Sequence, residues 1–180
     1  KDITLRLNIP FIFKASYKKA NRTSGTSFRS IGVIESLGIL GEIREKLKIP
    51  VLTDIHSEIE AEIASEFVDV LQIPAFLCRQ TELLEAPGET GRIINIKKGQ
   101  FLSPDDLIHQ VNKIRATGND RIMLTERGTT FGYHNLVVDM RSLEIMKQFG
   151  YPVIFDATHS VQMPSNEKGV SGGNPEFIEP

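Results

Sequence analysis

Cationic side chains recur where short apolar runs of this sequence end. Six of them are Lys14, Lys19, Arg22, Arg79, Lys97 and Arg127. Any one alone is best interpreted as a solvated surface charge, but the repeated placement favours a shared site. Cations gathered in one place need anions, and phosphate and carboxylate groups suit the guanidinium fork of Arg and the point charge of Lys. We therefore predict a site for a phosphorylated, anionic substrate.

Histidine and aspartate also stand at the ends of apolar runs. Asp54 and His56 end the second run, and His159 ends the last. His159 could bind a metal, act as a general base or have a structural role. The sequence has no His-x-x-x-His or Cys-x-x-Cys pair, so a metal would need ligands from elsewhere, and the three roles stay open.

Lys97 has an alternative chemistry, because a lysine on a barrel strand can form a Schiff base. The neighbouring cations favour phosphate binding over this aldolase reaction. Lys98 is interpreted as the solvated neighbour of Lys97, since adjacent strand residues face opposite ways. The single cysteine, Cys78, is predicted to be a small packing residue.

The elements that must position these residues are strands alternating with helices. Apolar, β-rich runs cover 9–16, 50–56, 68–75, 93–98, 121–127 and 152–160. Helical patterns cover 34–47, 58–67, 104–116 and 142–149, and another helix begins at 81–86. Nearly continuous apolar strands separated by helices are typical of a parallel sheet buried on both faces.

Two α/β architectures fit this alternation: an open doubly wound sheet, or most of a (β/α)₈ TIM barrel. A complete barrel needs about 250 residues, so six units in a chain of 180 favour a barrel without its first and last strands. We expect residues 1–180 to form a single partial TIM-barrel catalytic domain. The carboxyl ends of barrel strands meet on one face, which would gather the cations.

Composition narrows the class of protein. The chain has 21 Lys and Arg against 23 Asp and Glu, a net charge of −2, which argues against a nucleic-acid partner. The apolar runs are too short to cross a membrane, so no membrane partner is expected. One cysteine cannot form an intramolecular disulfide, and this favours a cytoplasmic location.

Seven segments occur in an order that resembles 3-deoxy-D-manno-octulosonate 8-phosphate synthases. They are FKAS at 13–16, KKANR at 18–22, TDIH at 53–56, QIPAFLCRQT at 72–81, NIKKGQF at 95–101, ERG at 126–128 and FDATHS at 155–160. The resemblance implies a (β/α)₈ barrel that forms a homotetramer. It also implies condensation of phosphoenolpyruvate with arabinose 5-phosphate, with release of phosphate, for lipopolysaccharide biosynthesis.

The resemblance also implies roles for individual residues. The positions matching phosphoenolpyruvate ligands are Lys14, Ser16, Lys19, Gln72, Lys97 and Arg127. Asn21, Arg22 and Asp54 match positions that face the sugar phosphate, and His56 lies near the same pocket. Thr23, where the family often has Ser, keeps a hydroxyl for a phosphate contact, and Ala75 is also assigned to substrate binding. Arg79 matches an arginine that reaches a neighbouring subunit's site. The residues assigned to catalysis are Lys19, Asn21, Asp54 and His159.

The residues of the last two segments are similar to those of the metal-dependent branch of the family. The resemblance then implies that His159 is the one ligand of a divalent metal, such as Zn, Fe or Mn, found in this sequence. It implies no organic cofactor. Two other functions remain open beside the Schiff-base aldolase: the related heptulosonate-phosphate synthase, which uses erythrose 4-phosphate, and a non-catalytic barrel that binds phosphorylated sugars.

Overall fold

The computed structural model describes residues 1–20, 28, 30–133, 135–163 and 172–178. Its helices are α1 (Asp2–Arg6), α2 (Val33–Leu47), α3 (Glu58–Ser65), α4 (Thr81–Glu89), α5 (Leu107–Ala116), α6 (Arg141–Lys147) and α7 (Ala157–Ser160). Its strands are β1 (Phe13–Lys14), β2 (Val51–Asp54), β3 (Val70–Ile73), β4 (Ile93–Lys97), β5 (Ile122–Glu126), β6 (Thr129–Phe131), β7 (Asn135–Val137), β8 (Val153–Phe155), β9 (Gln162–Met163) and β10 (Gly172–Gly173). Short 3₁₀ turns span Ala75–Leu77 and Pro175–Phe177.

Six strands form one parallel sheet in the order β1-β2-β3-β4-β5-β8. Each strand pairs with the next one of the predicted series, and the order never reverses, unlike the doubly wound alternative. Right-handed crossovers in one direction place the connecting helices on the same side of the sheet. The prediction of an α/β fold is therefore confirmed at this level, as a curled parallel sheet with helices that is consistent with an α/β barrel.

Strand register divides the sheet into a polar and an apolar face. Asp54 lies opposite Gln72, Gln72 opposite Asn95, and Lys97 opposite Thr125. Side chains alternate between faces along a strand, so these residues share the polar face with Lys14. The other face carries Ile73, Ile96 and Leu124, which are aligned across β3, β4 and β5.

The core lies between the apolar face and the helices. α2 buries Leu37 and Leu40. α4 and α5 pack against each other, and α5 buries Leu107, Val111 and Ile114. Burial of these aliphatic side chains is the main source of stability, at about 1.5–3 kcal/mol for each. The helices thereby hold the strands in the register that aligns the polar face.

All six predicted strands are shorter than their apolar runs, and the first and last differ most. Within 9–16 only Phe13–Lys14 pairs with β2. The run 152–160 contains strand only at Val153–Phe155, after which α7 begins. The Asp156 side chain caps that helix by accepting from the backbone N–H of His159 at 3.1 Å. A capping carboxylate thus ends the strand where hydrophobicity alone predicted that it would continue.

The predicted helix 104–116 begins at Leu107. Ser103 Oγ accepts from the backbone N–H of Asp106 at 3.3 Å, so the serine caps a turn that precedes the helix. A hairpin of β6 and β7 follows β5 and turns at Gly132, whose φ is +76°.

No helix in the described ranges is long and apolar enough to cross a membrane.

Candidate functional site

Two carboxylates organise the polar groups at the carboxyl edge of the sheet. The Asp54 cluster comprises Lys14, Ser16, Asp54 and His56, at the ends of β1 and β2. The Asp156 cluster comprises Lys97, Arg127, Asp156 and His159, at the ends of β4, β5 and β8. Parallel pairing brings these strand ends to one edge although the residues are far apart in sequence.

In the Asp54 cluster the carboxylate faces a lysine and a histidine. The Lys14 Nζ lies 3.5 Å from Asp54 Oδ1 and donates to Ser16 Oγ at 2.7 Å. The His56 Nε2 lies 3.3 Å from Asp54 Oδ2. Burial raises the pKa of the Asp54 carboxyl, but His56 and Lys14 outweigh it and hold the pKa well below its usual range. Asp54 is therefore an anion at neutral pH, and its buried Oδ1 has no hydrogen-bond donor in the described structure.

Glu60 supports this cluster and was missed by the sequence analysis. Its Oε2 accepts from the His56 backbone N–H at 2.9 Å and lies 3.4 Å from His56 Nδ1. Its Oε1 accepts from Lys18 Nζ at 2.9 Å. Burial raises the pKa of Glu60, and the nearby Tyr17, the Lys18 ammonium and the His56 backbone N–H together lower it by more. The spacing of four residues between His56 and Glu60, across the Ser57 cap of α3, was the signal that could have revealed it.

A layer of neutral polar side chains lies between the two clusters. Gln72 Oε1 accepts from Asn95 Nδ2 at 3.1 Å, and Asn95 Oδ1 accepts from Thr125 Oγ1 at 2.7 Å. All three side chains are buried. The chain of hydrogen bonds runs across β3, β4 and β5 and fixes the amide of Gln72. Asn95 and Thr125 were not identified from the sequence.

In the Asp156 cluster one carboxylate binds both a lysine and a histidine. Lys97 Nζ lies 2.5 Å from Asp156 Oδ2, and His159 Nδ1 lies 2.8 Å from the same oxygen. Burial raises the pKa of Asp156, but His159 and Lys97 outweigh it and keep the pKa far below its usual range. Burial lowers the pKa of Lys97, and the negative charge of Asp156 opposes that shift.

Arg127 is a buried cation with free hydrogen-bond donors. Its exposed fraction is 6%, and its Nη2 donates to Gln162 Oε1 at 3.4 Å. The Nε and Nη1 atoms are buried and have no partner in the described part of the chain. An unpaired buried N–H costs about 1–3 kcal/mol, and more when charged. The guanidinium is thus arranged for an anion that supplies those acceptors.

His159 has one ring nitrogen available for a metal. Its Nδ1 is bound to Asp156, and its Nε2 has no hydrogen-bond partner among the described residues, an arrangement common where a carboxylate orients a metal-binding histidine. No group of three His, Cys, Asp or Glu side chains suited to a metal occurs among the described residues. His159 therefore fits as one ligand, and a metal would need others from outside this set.

The other predicted site residues are placed less centrally. Lys19 and Arg79 are exposed, and Arg79 follows the turn at Ala75–Leu77, in which Ala75 is buried. Asn21, Arg22 and Thr23 lie outside the described residues. Cys78 is fully buried, and burial raises the pKa of its thiol, in agreement with a packing role.

Lys98 is not the solvated neighbour that the sequence predicted. Its side chain is fully buried, and its Nζ lies 3.5 Å from Glu126 Oε1. Lys97 and Lys98 do face opposite ways, but the face opposite Lys97 is the helix-covered one. The prediction was wrong because a strand covered on both sides has no solvated side.

Two concave surfaces adjoin the Asp156 cluster. One, of about 490 Å³, lies between the β6–β7 hairpin and the segment after β8, and is lined by Phe155, Gln162 and Phe177 among others. The other, of about 310 Å³, includes His159, Gly172 and Gly173. Gln162 lines both and contacts Arg127, so these concavities border the cations without being lined by them.

Comparison of the sequence with known proteins identifies relatives of this chain. A relative from Geobacter metallireducens is 60% identical over 173 residues, which are 96% of this chain and 64% of the relative. One from Koribacter versatilis is 60% identical over 175 residues, 96% of this chain and 63% of the relative. One from Acidithiobacillus ferrooxidans is 56% identical over 178 residues, 99% and 63% respectively.

All three relatives carry the name 2-dehydro-3-deoxyphosphooctonate aldolase. The chain spans just under two thirds of the length of these curated relatives. The sequence profile of the DAHP synthetase I family matches residues 1–173. By this match and these identities, the chain belongs to the DAHP synthetase I family.

Proposed function

We propose that the protein containing this chain condenses phosphoenolpyruvate with arabinose 5-phosphate, giving 3-deoxy-D-manno-octulosonate 8-phosphate and inorganic phosphate. The observation that carries the proposal is Arg127, whose buried Nε and Nη1 have no hydrogen-bond partner among the described residues and whose charge acts on the neighbouring Lys97. The relatives' name, 2-dehydro-3-deoxyphosphooctonate aldolase, denotes the same enzyme as this synthase. The product would enter lipopolysaccharide biosynthesis in the cytoplasm.

The two buried cations would hold the phosphate and carboxylate of phosphoenolpyruvate. Arg127 can bind two oxygens with its free N–H groups, and Lys97 adds a positive charge that Asp156 only partly neutralises. Gln72, fixed by Asn95, and the Lys14–Ser16 pair would complete the ligands on the polar face. Lys19 is exposed and would have to approach when substrate binds.

The Asp54 cluster would bind the sugar. Asp54 is an anion whose Oδ1, 3.5 Å from Lys14 Nζ, has no hydrogen-bond donor among the described residues, so it can accept a hydrogen bond from a sugar hydroxyl or from the hydrated aldehyde. Asn21, Arg22 and Thr23 are proposed to hold the sugar phosphate, with Arg79 from a neighbouring subunit. The two clusters flank the Gln72–Asn95–Thr125 layer, and this spacing would hold the enol carbon against the aldehyde, as catalysis by proximity requires.

The reaction would then proceed by attack of the enol carbon on the aldehyde carbon, which forms the new C–C bond. Water adds to the oxocarbenium-like carbon left behind, and phosphate departs from it. A divalent metal such as Zn, Fe or Mn, when bound, can orient the aldehyde or activate that water. His159 would hold the metal through Nε2 while Asp156 fixes its ring.

Lys97 is poorly arranged for the Schiff-base alternative. A nucleophilic lysine must present an unprotonated nitrogen to a carbonyl carbon. Burial on balance lowers the pKa of Lys97, but its Nζ is engaged in an ion pair with Asp156 at 2.5 Å, which opposes that shift. We therefore propose that Lys97 binds substrate as a cation and forms no covalent bond to it.

For the whole protein we propose a (β/α)₈ barrel that assembles as a homotetramer. The six parallel strands described would be completed by two more strands. The longer sequences of the relatives and the unreversed strand order support this closure.

Phosphate release by the full-length enzyme tests the function. We expect release from phosphoenolpyruvate with arabinose 5-phosphate, and none with erythrose 4-phosphate or without a sugar. Equal or faster release with erythrose 4-phosphate would instead assign the related heptulosonate-phosphate synthase activity. Borohydride trapping of substrate on Lys97 would overturn the cationic role of that residue.

Metal dependence is tested on the same enzyme with a chelator. We expect chelation to abolish phosphate release, and Zn, Fe or Mn to restore it. Full activity of a chelated enzyme shown to be metal-free by elemental analysis would contradict the proposed metal role of His159.

A further inference from the structure

Lys98 and Glu126 form a buried ion pair on the apolar face of the sheet, each one residue away from a cation proposed to bind substrate. We propose that this pair is a positioning device: it locks the loops after β4 and β5 together, and so aims Lys97 and Arg127 at the same anion. The proposal deepens the function proposed above and rests on it. Neither Lys98 nor Glu126 belongs to the polar face, so neither touches substrate.

The Lys98 ammonium joins both loops. It donates to the carbonyls of Gly99 and Leu102 at 3.3 and 3.2 Å, within the loop after β4. It also donates to Thr129 Oγ1 at 3.1 Å, beyond the end of β5. With Glu126 Oε1 at 3.5 Å, a single fully buried Nζ faces four oxygens from two loops.

Glu126 holds the turn that carries Arg127. Its Oε1 accepts from the backbone N–H groups of Arg127 and Gly128 at 2.9 and 2.6 Å. Gly128 has a φ of +93°, a conformation that glycine adopts without strain. The carboxylate therefore fixes the peptide groups on both sides of Arg127, and with them the direction of the guanidinium.

Backbone hydrogen bonds extend the same connection. Lys98 N–H donates to the Thr125 carbonyl at 2.9 Å, and Thr130 N–H donates to the Gln100 carbonyl at 2.9 Å. Because neighbouring residues point to opposite faces, fixing Lys98 and Glu126 on the apolar face sets Lys97 and Arg127 on the polar one. The Asp156 charge acts on both of these cations, as expected if they converge.

The desolvation cost of burying two charges indicates that this ion pair does more than fill space in the core. Burying two charges costs desolvation, and apolar residues of similar volume often stabilise a fold as well or better. What an apolar pair cannot supply is the set of hydrogen bonds to main-chain groups of the two loops. These charges therefore serve to fix the positions of the two loops. Removing the charges should weaken binding of the anion more than it destabilises the fold.

The test is a neutral double variant, Lys98→Met/Glu126→Gln, in the full-length enzyme. It leaves neither member of the Lys98–Glu126 pair as a lone buried charge and keeps an acceptor near the Arg127 and Gly128 N–H groups, but it removes the ammonium that joins the loops. We expect the KM for phosphoenolpyruvate to rise about tenfold or more, while the KM for arabinose 5-phosphate changes less than about twofold. A folded double variant with an unchanged KM for phosphoenolpyruvate would overturn the proposal.

Asn119→Ala is the matched control for a purely structural effect. Asn119 is buried at the opposite end of the same strand pair, where its Nδ2 donates to the Gly88 and Arg92 carbonyls at 3.0 and 2.9 Å. This variant should unfold at a lower temperature yet keep the wild-type KM for phosphoenolpyruvate. An equal rise in KM for Asn119→Ala would show that instability alone weakens binding, and would also overturn the proposal.

A milder variant serves if the double variant does not fold. Thr129→Val removes one acceptor of the Lys98 ammonium from an exposed position and nearly preserves the side-chain shape. It should raise the KM for phosphoenolpyruvate in the same direction by a smaller factor, and no change would contradict the positioning role.

Calorimetric affinity for phosphoenolpyruvate separates failure of this proposal from failure of the function. If the wild type releases no phosphate with arabinose 5-phosphate, the proposed function fails. Weaker phosphoenolpyruvate binding by the double variant than by the wild type would even then support the positioning pair, and equal binding would refute it.

Discussion

Burial distinguishes the cations of this chain at the scale of single residues. Lys19 and Arg79 are exposed, whereas Lys97 and Arg127 are each 9% exposed or less. An exposed cation is compensated by water, but a buried one needs a carboxylate or a ligand. Lys97 has Asp156, and Arg127 has two buried nitrogens with no partner in the part of the chain that the structure describes. Among these four cations, Arg127 is therefore the one whose buried nitrogens most need hydrogen bonds from a bound anion.

Arg127→Ala is expected to weaken phosphoenolpyruvate binding by about 30-fold or more, the cost of removing one partner of a desolvated charge pair. The affinity of Arg127→Lys for phosphoenolpyruvate should lie between those of the wild type and Arg127→Ala, because an ammonium keeps the charge but loses the bidentate geometry. Calorimetry on the full-length enzyme measures both. The control is Arg121→Ala next to the opposite end of β5, where the exposed Arg121 side chain donates only to the Gly91 carbonyl, at 2.9 Å, in the described structure. Wild-type affinity in Arg127→Ala would refute its anion-binding role.

Asp54 gives a prediction about acid stability. Its pKa in the folded protein lies well below the unfolded value of about 3.9, so between the two the unfolded state binds more protons. This contribution to the free energy of unfolding is therefore complete above about pH 5 and decreases as the pH falls toward the folded pKa. Asp54→Asn should flatten the acid limb of a plot of unfolding free energy against pH, measured by denaturant titration. Parallel curves for wild type and variant would contradict the shift.

At the scale of elements, the junction of β8 and α7 shows one side chain serving structure and site together. Asp156 accepts from the His159 backbone N–H as a helix cap and from the His159 ring at Nδ1. The same carboxylate binds Lys97 on β4. Since the cap sets where the strand ends, the position of the histidine relative to β4 follows from the start of a four-residue helix.

The packing of α4 against α5 depends on Gly88, which lies next to Thr117 at the end of α5. A Cβ at position 88 would lie 2.6 Å from Thr117 Oγ1, which is itself held by a hydrogen bond to the Ile114 carbonyl. Gly88→Ala should therefore destabilise the protein by about 1–3 kcal/mol, through overpacking. Thermal or denaturant unfolding measures this.

Gly38→Ala in α2 is the matched control, because a Cβ there meets no atom within 4 Å. It should stabilise by about 0.5–1 kcal/mol through the better helix propensity of alanine. Adding Thr117→Ala to Gly88→Ala should recover part of the loss. If Gly88→Ala stabilises the protein as much as Gly38→Ala does, the inferred close contact between Gly88 and Thr117 does not exist.

At the scale of the whole molecule, the parallel sheet has two edges in the described part of the chain. β1 pairs only with β2, and β8 only with β5, within the same sheet. Unpaired edges expose backbone N–H and C=O groups and invite pairing with other strands. Closure by further strands would satisfy them, which agrees with a chain that covers 63–64% of its relatives.

The proposed tetramer makes a prediction about sites shared between subunits. Arg79 is exposed at the carboxyl edge of the sheet, so it is available to a neighbouring copy. Arg79→Ala should raise the KM for arabinose 5-phosphate, and Arg127→Ala should impair phosphoenolpyruvate binding. Mixed tetramers of the two variants should release phosphate faster than the mean of the separate proteins, because some sites combine an intact Arg127 with an intact Arg79 from the partner. A mixture that matches the mean would show that each site uses residues of one subunit.

Much of this architecture could be predicted from local pattern. Continuous apolar runs alternating with amphipathic stretches indicated six parallel strands, and their order in the sheet is the order along the chain. The predicted site residues on the strands, such as Lys14, Asp54 and Lys97, come to one edge because parallel strands all end there. The branch of the family and the homotetramer remain predictions.

The sequence by itself determined which strand ends carry charge, because side-chain type and the two-residue period of a strand are local properties. Only the tertiary structure decided which of those charges are buried and with what they pair. Asp156 with Lys97 and Glu126 with Lys98 join residues 28 or more positions apart. Such pairs depend on strand register and on the helices that cover one face of the sheet. No local pattern encodes either, and so Lys98 was taken for a surface residue when it is the largest fully buried side chain described.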